Sequence, residues 1–209
     1  MSDIPADLTG VRSLGEDEIE QAAGVMVRAF ISYPVWTWLV PDEVRRAALL
    51  PPYALMTMRW GRLLGATYVA GRPVAGVAVW RPPGANESVD PDGSLTGWRA
   101  WNAEAGSDVF ARLQALNEAQ APARAAACDG PHWYLPWLGV DPRSQRRGVG
   151  AALLRHVFAR ADAAGVPCLL ETEVERNVAW YERHGFIVTH AGVVPDGGPP
   201  FWTMLRPAR

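Results

Sequence analysis

The 209-residue chain contains no lysine: all 20 of its Lys-or-Arg positions are arginine. Without a lysine amine there is no Schiff-base chemistry, and so no pyridoxal-phosphate catalysis. A Walker A lysine and the strand lysine of a kinase are missing with it. Cysteine is almost as scarce. Cys128 and Cys168 supply neither a disulfide framework nor zinc spacing. The histidines, His132, His156, His184 and His190, fall in no metal-ligand pattern, so no metal site is expected. No apolar run reaches the roughly 18 residues of a membrane span. Met1-Ser2-Asp3-Ile4-Pro5 does not open a signal peptide. The expectation is a cytoplasmic protein without membrane contact. An excess of one charge is lacking as well. The formal net charge of −2 gives no global attraction for nucleic acid.

Tryptophan, by contrast, is plentiful, with ten residues. Indoles fill cores and also line pockets for flat or amphipathic ligands. A hydrophobic fraction of 49% and a charged fraction of 20% are ordinary for a globular protein. The length allows one domain, 1–209, with room for an insertion.

Residues 11–14 read as a strand and 16–30 as a helix with acidic residues in its first turn. The aromatic stretch 33–40 is bounded by Pro34 and Pro41. Asp42 can cap a following helix, which the pair Pro51-Pro52 is expected to interrupt. Residues 67–70 and 74–80 read as a hairpin across Gly71-Arg72-Pro73. After a Pro- and Gly-rich loop, residues 95–127 read as helix in two pieces, inside a helical insertion at about 84–130. Strand 132–140, helix 149–164, strand 168–174, short helix 177–184 and strands 186–194 and 201–206 complete the chain. Strands and helices in this order imply helices layered on a mixed sheet, an α/β or α+β fold.

The strongest chemical signal is the run Leu138-Gly139-Val140-Asp141-Pro142-Arg143-Ser144-Gln145-Arg146-Arg147-Gly148-Val149-Gly150. A strand ends, a basic glycine-containing loop follows, and a helix opens at once. The first N–H groups of that helix have no intrahelical acceptor and carry the positive end of its dipole. Gly148 and Gly150 have no Cβ, so a phosphate can approach the backbone closely. Arg146 and Arg147 add positive charge at the rim. The pattern fits a phosphate or pyrophosphate site. It is not a dinucleotide fingerprint, since the spacing is Gln-x-x-Gly-x-Gly and the strand comes late in the chain. A second segment, Asn177-Val178-Ala179-Trp180-Tyr181-Glu182-Arg183-His184-Gly185-Phe186, reads as a short helix with Asn177 as its cap and Tyr181 one turn on, on the same face.

Together the two segments resemble the GNAT superfamily of acetyl-CoA-dependent N-acetyltransferases, most nearly its puromycin-acetylating members. Ala29-Phe30, Tyr33-Pro34, Ala78-Val79-Trp80 and Leu170-Glu171-Thr172 are similar as well. The resemblance implies a twisted mixed sheet of six to seven strands, flanked by helices, whose fourth and fifth strands splay apart. It implies acetyl-CoA as co-substrate, with Leu138, Gly139 and Val140 along the pantetheine arm. Arg146, Arg147, Gly148, Val149, Gly150 and Ala151 would cradle the pyrophosphate, and Asn177 would contact the pantetheine region. Tyr181 would protonate the leaving thiolate, and the Leu138 N–H would face the oxyanion. Glu171 and Glu173 share a strand face. Glu171 is the expected base, because it falls in the similar stretch. Tyr33, Trp36 and Trp38 are expected to wall the acceptor pocket, with Trp98, Trp101 and Trp202 behind them. The implied acceptor is a primary amine of a small molecule, for example an aminonucleoside antibiotic such as puromycin, which would make the protein a resistance enzyme. The implied assembly is a monomer or homodimer. Two alternatives stay open: acetylation of a protein N-terminus or a polyamine, and a non-catalytic CoA-binding sensor.

Overall fold

A computed structural model describes residues 10–86 and 88–209; the reading of Met1 to Pro5 lies outside them. Seven strands form one mixed sheet: β1 (Val11–Ser13), β2 (Thr67–Ala70), β3 (Gly76–Arg81), β4 (Trp133–Val140), β5 (Cys168–Thr172), β6 (Ile187–Val193) and β7 (Pro200–Arg206). Their order across the sheet is β1-β2-β3-β4-β5-β7-β6. Only β4 and β5 run parallel. The helices are α1 (Ile19–Phe30), α2 (Pro34–Leu39), α3 (Glu43–Leu63), α4 (Trp98–Ala127), α5 (Val149–Ala163) and α6 (Glu175–Glu182). None of the described helices is long and apolar enough to cross a membrane.

Helices cover both faces of the sheet, so its central strands bury both sets of side chains. Alternation along β3 divides the core in two. Val77 and Val79 face one layer with Met26 of α1, Leu50 of α3 and Trp101 of α4. Ala78 and Trp80 face the other, with Leu153 and Val157 of α5. The helical stripe Val149, Leu153, Val157 and Ala161 is buried throughout.

Two sequence expectations are overturned, at Pro51-Pro52 and at Asn177, and the unassigned stretch 33–40 takes a definite form. Pro51 and Pro52 do not interrupt α3, which Asp42 caps by accepting from the Arg45 N–H at 2.7 Å. Burial of Leu49, Leu50, Ala54 and Met58 outweighs the hydrogen bonds that the two prolines cannot donate. The aromatic stretch after Tyr33 is itself a helix, α2, with Pro34 at its first position, where a missing N–H costs nothing. Asn177 is not a cap. β5 ends at Thr172 and α6 begins at Glu175, so Asn177 lies in its first turn and donates from Nδ2 to Thr172 Oγ1 at 3.2 Å. In α4 the backbone leaves the helical region at Gly106, dividing it into two pieces.

Gly76 sets how closely α5 approaches the sheet. A Cβ there would lie 2.5 Å from Val149 Cγ1 and 3.1 Å from Leu153 Cδ1. Gly76→Ala is expected to cost about 1–3 kcal/mol by overpacking, read as a lower denaturant midpoint at unchanged m-value.

Candidate active site

The site starts from a failure of pairing. β4 and β5 form a ladder only at Trp133–Cys168, Tyr134–Leu169 and Leu135–Leu170. Beyond it, Glu171 and Thr172 keep only their β7 partners, Thr203 and Trp202. The cause lies in β4. Trp137 pairs with Val79 and Tyr134 with Arg81, so three steps along β4 match two along β3. The extra residue is a bulge, and Pro136, which has no N–H for a ladder, sits in it. A bulge reverses strand parity. The Trp133 N–H points to the β5 side and donates to Pro167 O at 2.9 Å, whereas the Asp141 N–H points to the β3 side and donates to Ala75 O at 2.9 Å. Counted back from Asp141, the N–H and C=O of Leu138 and Val140 face the gap that β5 has left. Gln145 Nε2 reaches the Val140 carbonyl from that side, at 3.3 Å.

The basic loop adjoins the open end of this gap. Asp141 fixes it, accepting from the Arg143 N–H at 3.0 Å and from Arg28 Nε of α1 at 2.7 Å. Arg146 has φ +60 and Gly148 φ +79. In this left-handed turn Gly148 caps α5 with no side chain bonded to the first helical N–H groups. Arg146 and Arg147 are exposed, with no ion pair among the described residues. Val149 is buried, and Gly150 and Ala151 are half-buried. A Cβ on Gly150 would lie 3.4 Å from the Trp180 ring, so α6 closes one flank of the cradle. Free backbone donors, a helix N-terminus and two unpaired guanidinium groups suit a pyrophosphate.

A cavity of about 300 Å³ opens at the splay, between the strands, α1, α2 and the second piece of α4. Tyr181, Asn177, Leu138, Glu171 and Glu173 line it, together with Tyr33 and Trp36. The two carboxylates differ in their partners. Glu171 Oε2 accepts from the Tyr134 hydroxyl at 2.7 Å, and Oε1 lies 3.5 Å from Arg124 Nη1. Burial raises its pKa, opposed by Arg124. Among the described residues no arginine forms an ion pair with Glu173. This glutamate accepts from Gln120 Nε2 at 2.8 Å, and burial pushes its carboxyl up to about 7, with the Glu171 charge adding to the rise. Tyr33 holds this corner, its hydroxyl accepting from the Glu173 N–H at 3.2 Å and lying 3.2 Å from Thr172 Oγ1. The Tyr181 ring packs edge-on against Trp180 and Phe186. Its hydroxyl has no hydrogen-bond partner among the described residues, and burial and then the Glu173 charge raise its pKa.

The structure therefore gathers Leu138, Asn177, Tyr181, Glu171, Tyr33 and Trp36 around one space, with Gly139 and Val140 continuing along β4. Trp38 is elsewhere: it faces a shallow hollow with Arg112 and Pro199, its indole donating to Asp196 O at 3.4 Å. The period of α2 turns it away from Trp36. Sequence reasoning missed Gln120, Arg124, Tyr134 and Trp137. The polar positions of α4 look like a solvated helical face, and nothing local shows that the face turns inward onto two glutamates. Among the described residues no cluster of His, Cys, Asp or Glu is placed to hold a metal ion.

Residues 98–188 match the sequence pattern of the acetyltransferase (GNAT) domain. The matched range runs from the start of α4 into β6 and so includes the splay, the basic loop and Tyr181. An uncharacterized N-acetyltransferase of Schizosaccharomyces pombe is 26% identical over 182 residues, covering 81% of this chain and 71% of that protein. The crystal structure of a histone acetyltransferase HPA2 and related acetyltransferase from Corynebacterium glutamicum aligns with a TM-score of 0.67 at 25% identity, over 95% of this chain and 96% of that one. Arylalkylamine N-acetyltransferase 2 from Aedes aegypti shares the fold, with a TM-score of 0.63 at 15% identity over 95% and 98% of the two chains. The GNAT fold thus extends over the first half of the chain as well.

Proposed function

We propose that the protein transfers the acetyl group of acetyl-CoA to a primary amine of a small molecule. One observation carries this: the unpaired backbone groups of Leu138 open onto the cavity where Glu173, poised near neutrality, and Tyr181, with an unengaged hydroxyl, face the same space, and those of Val140 continue along the same gap. The basic loop and α5 N-terminus take the pyrophosphate, and the β4 edge pairs with the pantetheine amides.

An acceptor ammonium must shed a proton to become nucleophilic, and Glu173 takes it. The neutral nitrogen attacks the thioester carbon, a C–N bond forms, and the carbonyl oxygen gains negative charge facing the Leu138 N–H. The nitrogen loses its second surplus proton as the C–S bond breaks. Tyr181 gives its hydroxyl proton to the departing thiolate and is reprotonated from the cavity. One of the two protons shed by nitrogen balances the thiol, and the other leaves to water. Glu171 serves as the counter-ion of Arg124, so the base role expected for it passes to Glu173.

The test is thiol release from acetyl-CoA over a panel of amines: simple alkylamines, puromycin as the aminonucleoside example, spermidine, and a peptide with a free N-terminus. Release with small amines supports the proposal. Release only with the peptide or spermidine reassigns the acceptor, and acetyl-CoA binding without release from any amine makes the protein a sensor.

A further inference from the structure

Beside the reactive cavity lies a second one of about 370 Å³. The two share Arg81, Tyr134, Pro136 and Trp137 as lining residues, so the β4 bulge borders both. Their chemistry differs. The first holds the carboxylates. The far wall of the second is built from Tyr53, Thr57 and Trp60 of α3 and from Trp98, with Asp90 and Thr96 closing one side.

These walls are held rigid. The Trp101 indole donates to Leu49 O at 2.9 Å, and Trp98 stacks on it with centroids 5.6 Å apart. Tyr53 stands edge-on to both Trp101 and Trp137, at 4.9 and 5.7 Å. A preformed slot with aromatic walls favours a flat apolar group, because little side-chain freedom is lost on binding. The Asp90 carboxylate is already engaged by the Thr96 N–H at 2.8 Å, the Thr96 hydroxyl at 2.6 Å and the Leu95 N–H at 3.2 Å. The Arg81 guanidinium, which lines both cavities, lies 4.9 Å over the Tyr134 ring.

The geometry points to a distal acceptor subsite: the substrate is a monoamine whose nitrogen sits by Glu173 and whose neutral, flat aromatic group reaches past Trp137 into the second cavity. This rests on the acetyl-transfer reading above and adds the acceptor class.

Phenylalkylamines with spacers of increasing length are compared with straight-chain alkylamines of equal carbon number and with spermidine, by thiol release from acetyl-CoA. The expected result is a phenyl-over-alkyl ratio of kcat/KM of at least tenfold at one optimal spacer, with spermidine a poor substrate. Trp60→Ala, which removes a wall, and Thr57→Phe, which fills the space, are each expected to reduce that ratio at least fivefold. The ratio does not depend on how much enzyme is folded. Release without a phenyl preference, a preference that survives both variants, or spermidine as the best acceptor overturns the distal subsite alone. No release with any amine overturns the acetyl-transfer reading and this inference with it.

Discussion

Glu173→Gln is expected to lower kcat by about 10²- to 10⁴-fold, the usual range for loss of a positioned general base. The pH profile tells this role apart from a packing role. Burial pushes the Glu173 carboxyl up to about 7, so its basic form accumulates as pH rises through neutrality. In the wild type kcat/KM should therefore climb with an inflection near pH 7. The Gln variant should lose that inflection and keep only the later rise from ionisation of the acceptor amine. Glu171→Gln is the control. Its carboxylate is engaged by Tyr134 and Arg124, so the inflection should remain. An inflection near pH 7 that survives Glu173→Gln would move the base elsewhere.

The same substitution has a stability consequence of opposite sign. The folded-state pKa of Glu173, about 7, lies above the ordinary carboxyl value of 4.5. Between those two values the unfolded chain has released the proton while the native protein retains it, so native stability falls as pH rises across the window. With the folded carboxyl at about 7 against 4.5 in the unfolded chain, the native state gives up on the order of 3 kcal/mol by pH 8. Glu173→Gln should therefore raise the denaturant midpoint at pH 8 and change it little near pH 4, where the carboxyl is protonated in both states. A gain in stability with a loss of rate is the trade expected of a group kept buried for chemistry.

The parts of the site legible in the sequence are those whose chemistry is local. The loop from Gln145 to Gly150 announces itself because a strand, basic residues, small residues and a helix follow one another within a few positions. Tyr181 is legible because it lies one turn from Asn177 in a short helix, even though Asn177 turned out to be inside that helix. What the sequence hid depends on long-range packing. Gln120 and Arg124 come to Glu173 and Glu171 from about fifty residues away, on a helix whose polar face resembles a solvent face. The proposed preference for Glu173 over Glu171 has the same origin: alternation puts both on one side of the strand, and only the placement of Arg124 and Tyr134 distinguishes their surroundings. The bulge at Pro136 could be suspected from a proline in an otherwise strand-like run. Its effect on the parity of Leu138 and Val140 emerges only from pairing with β3.

Tyr181→Phe should lower kcat by about 10²-fold or more while leaving the KM for acetyl-CoA within a factor of about two. The protein should be no less stable. The phenol oxygen has no hydrogen-bond partner among the described residues, so its removal strands no donor or acceptor, and the ring contacts with Trp180 and Phe186 persist. A resting pKa raised by burial and by the Glu173 charge keeps the hydroxyl protonated before the reaction. It would also make Tyr181 a reluctant acid if nothing changed. Something does change: when Glu173 takes the acceptor's proton its negative charge disappears, and the part of the Tyr181 elevation due to that charge disappears with it. In the proposed mechanism the acid is thereby strengthened at the step that needs it, by the base having acted. Two groups coupled in this way should not contribute independently. Glu173→Gln combined with Tyr181→Phe is therefore expected to lose much less than the product of the single losses, and strictly multiplicative losses would show that the two side chains act in separate steps.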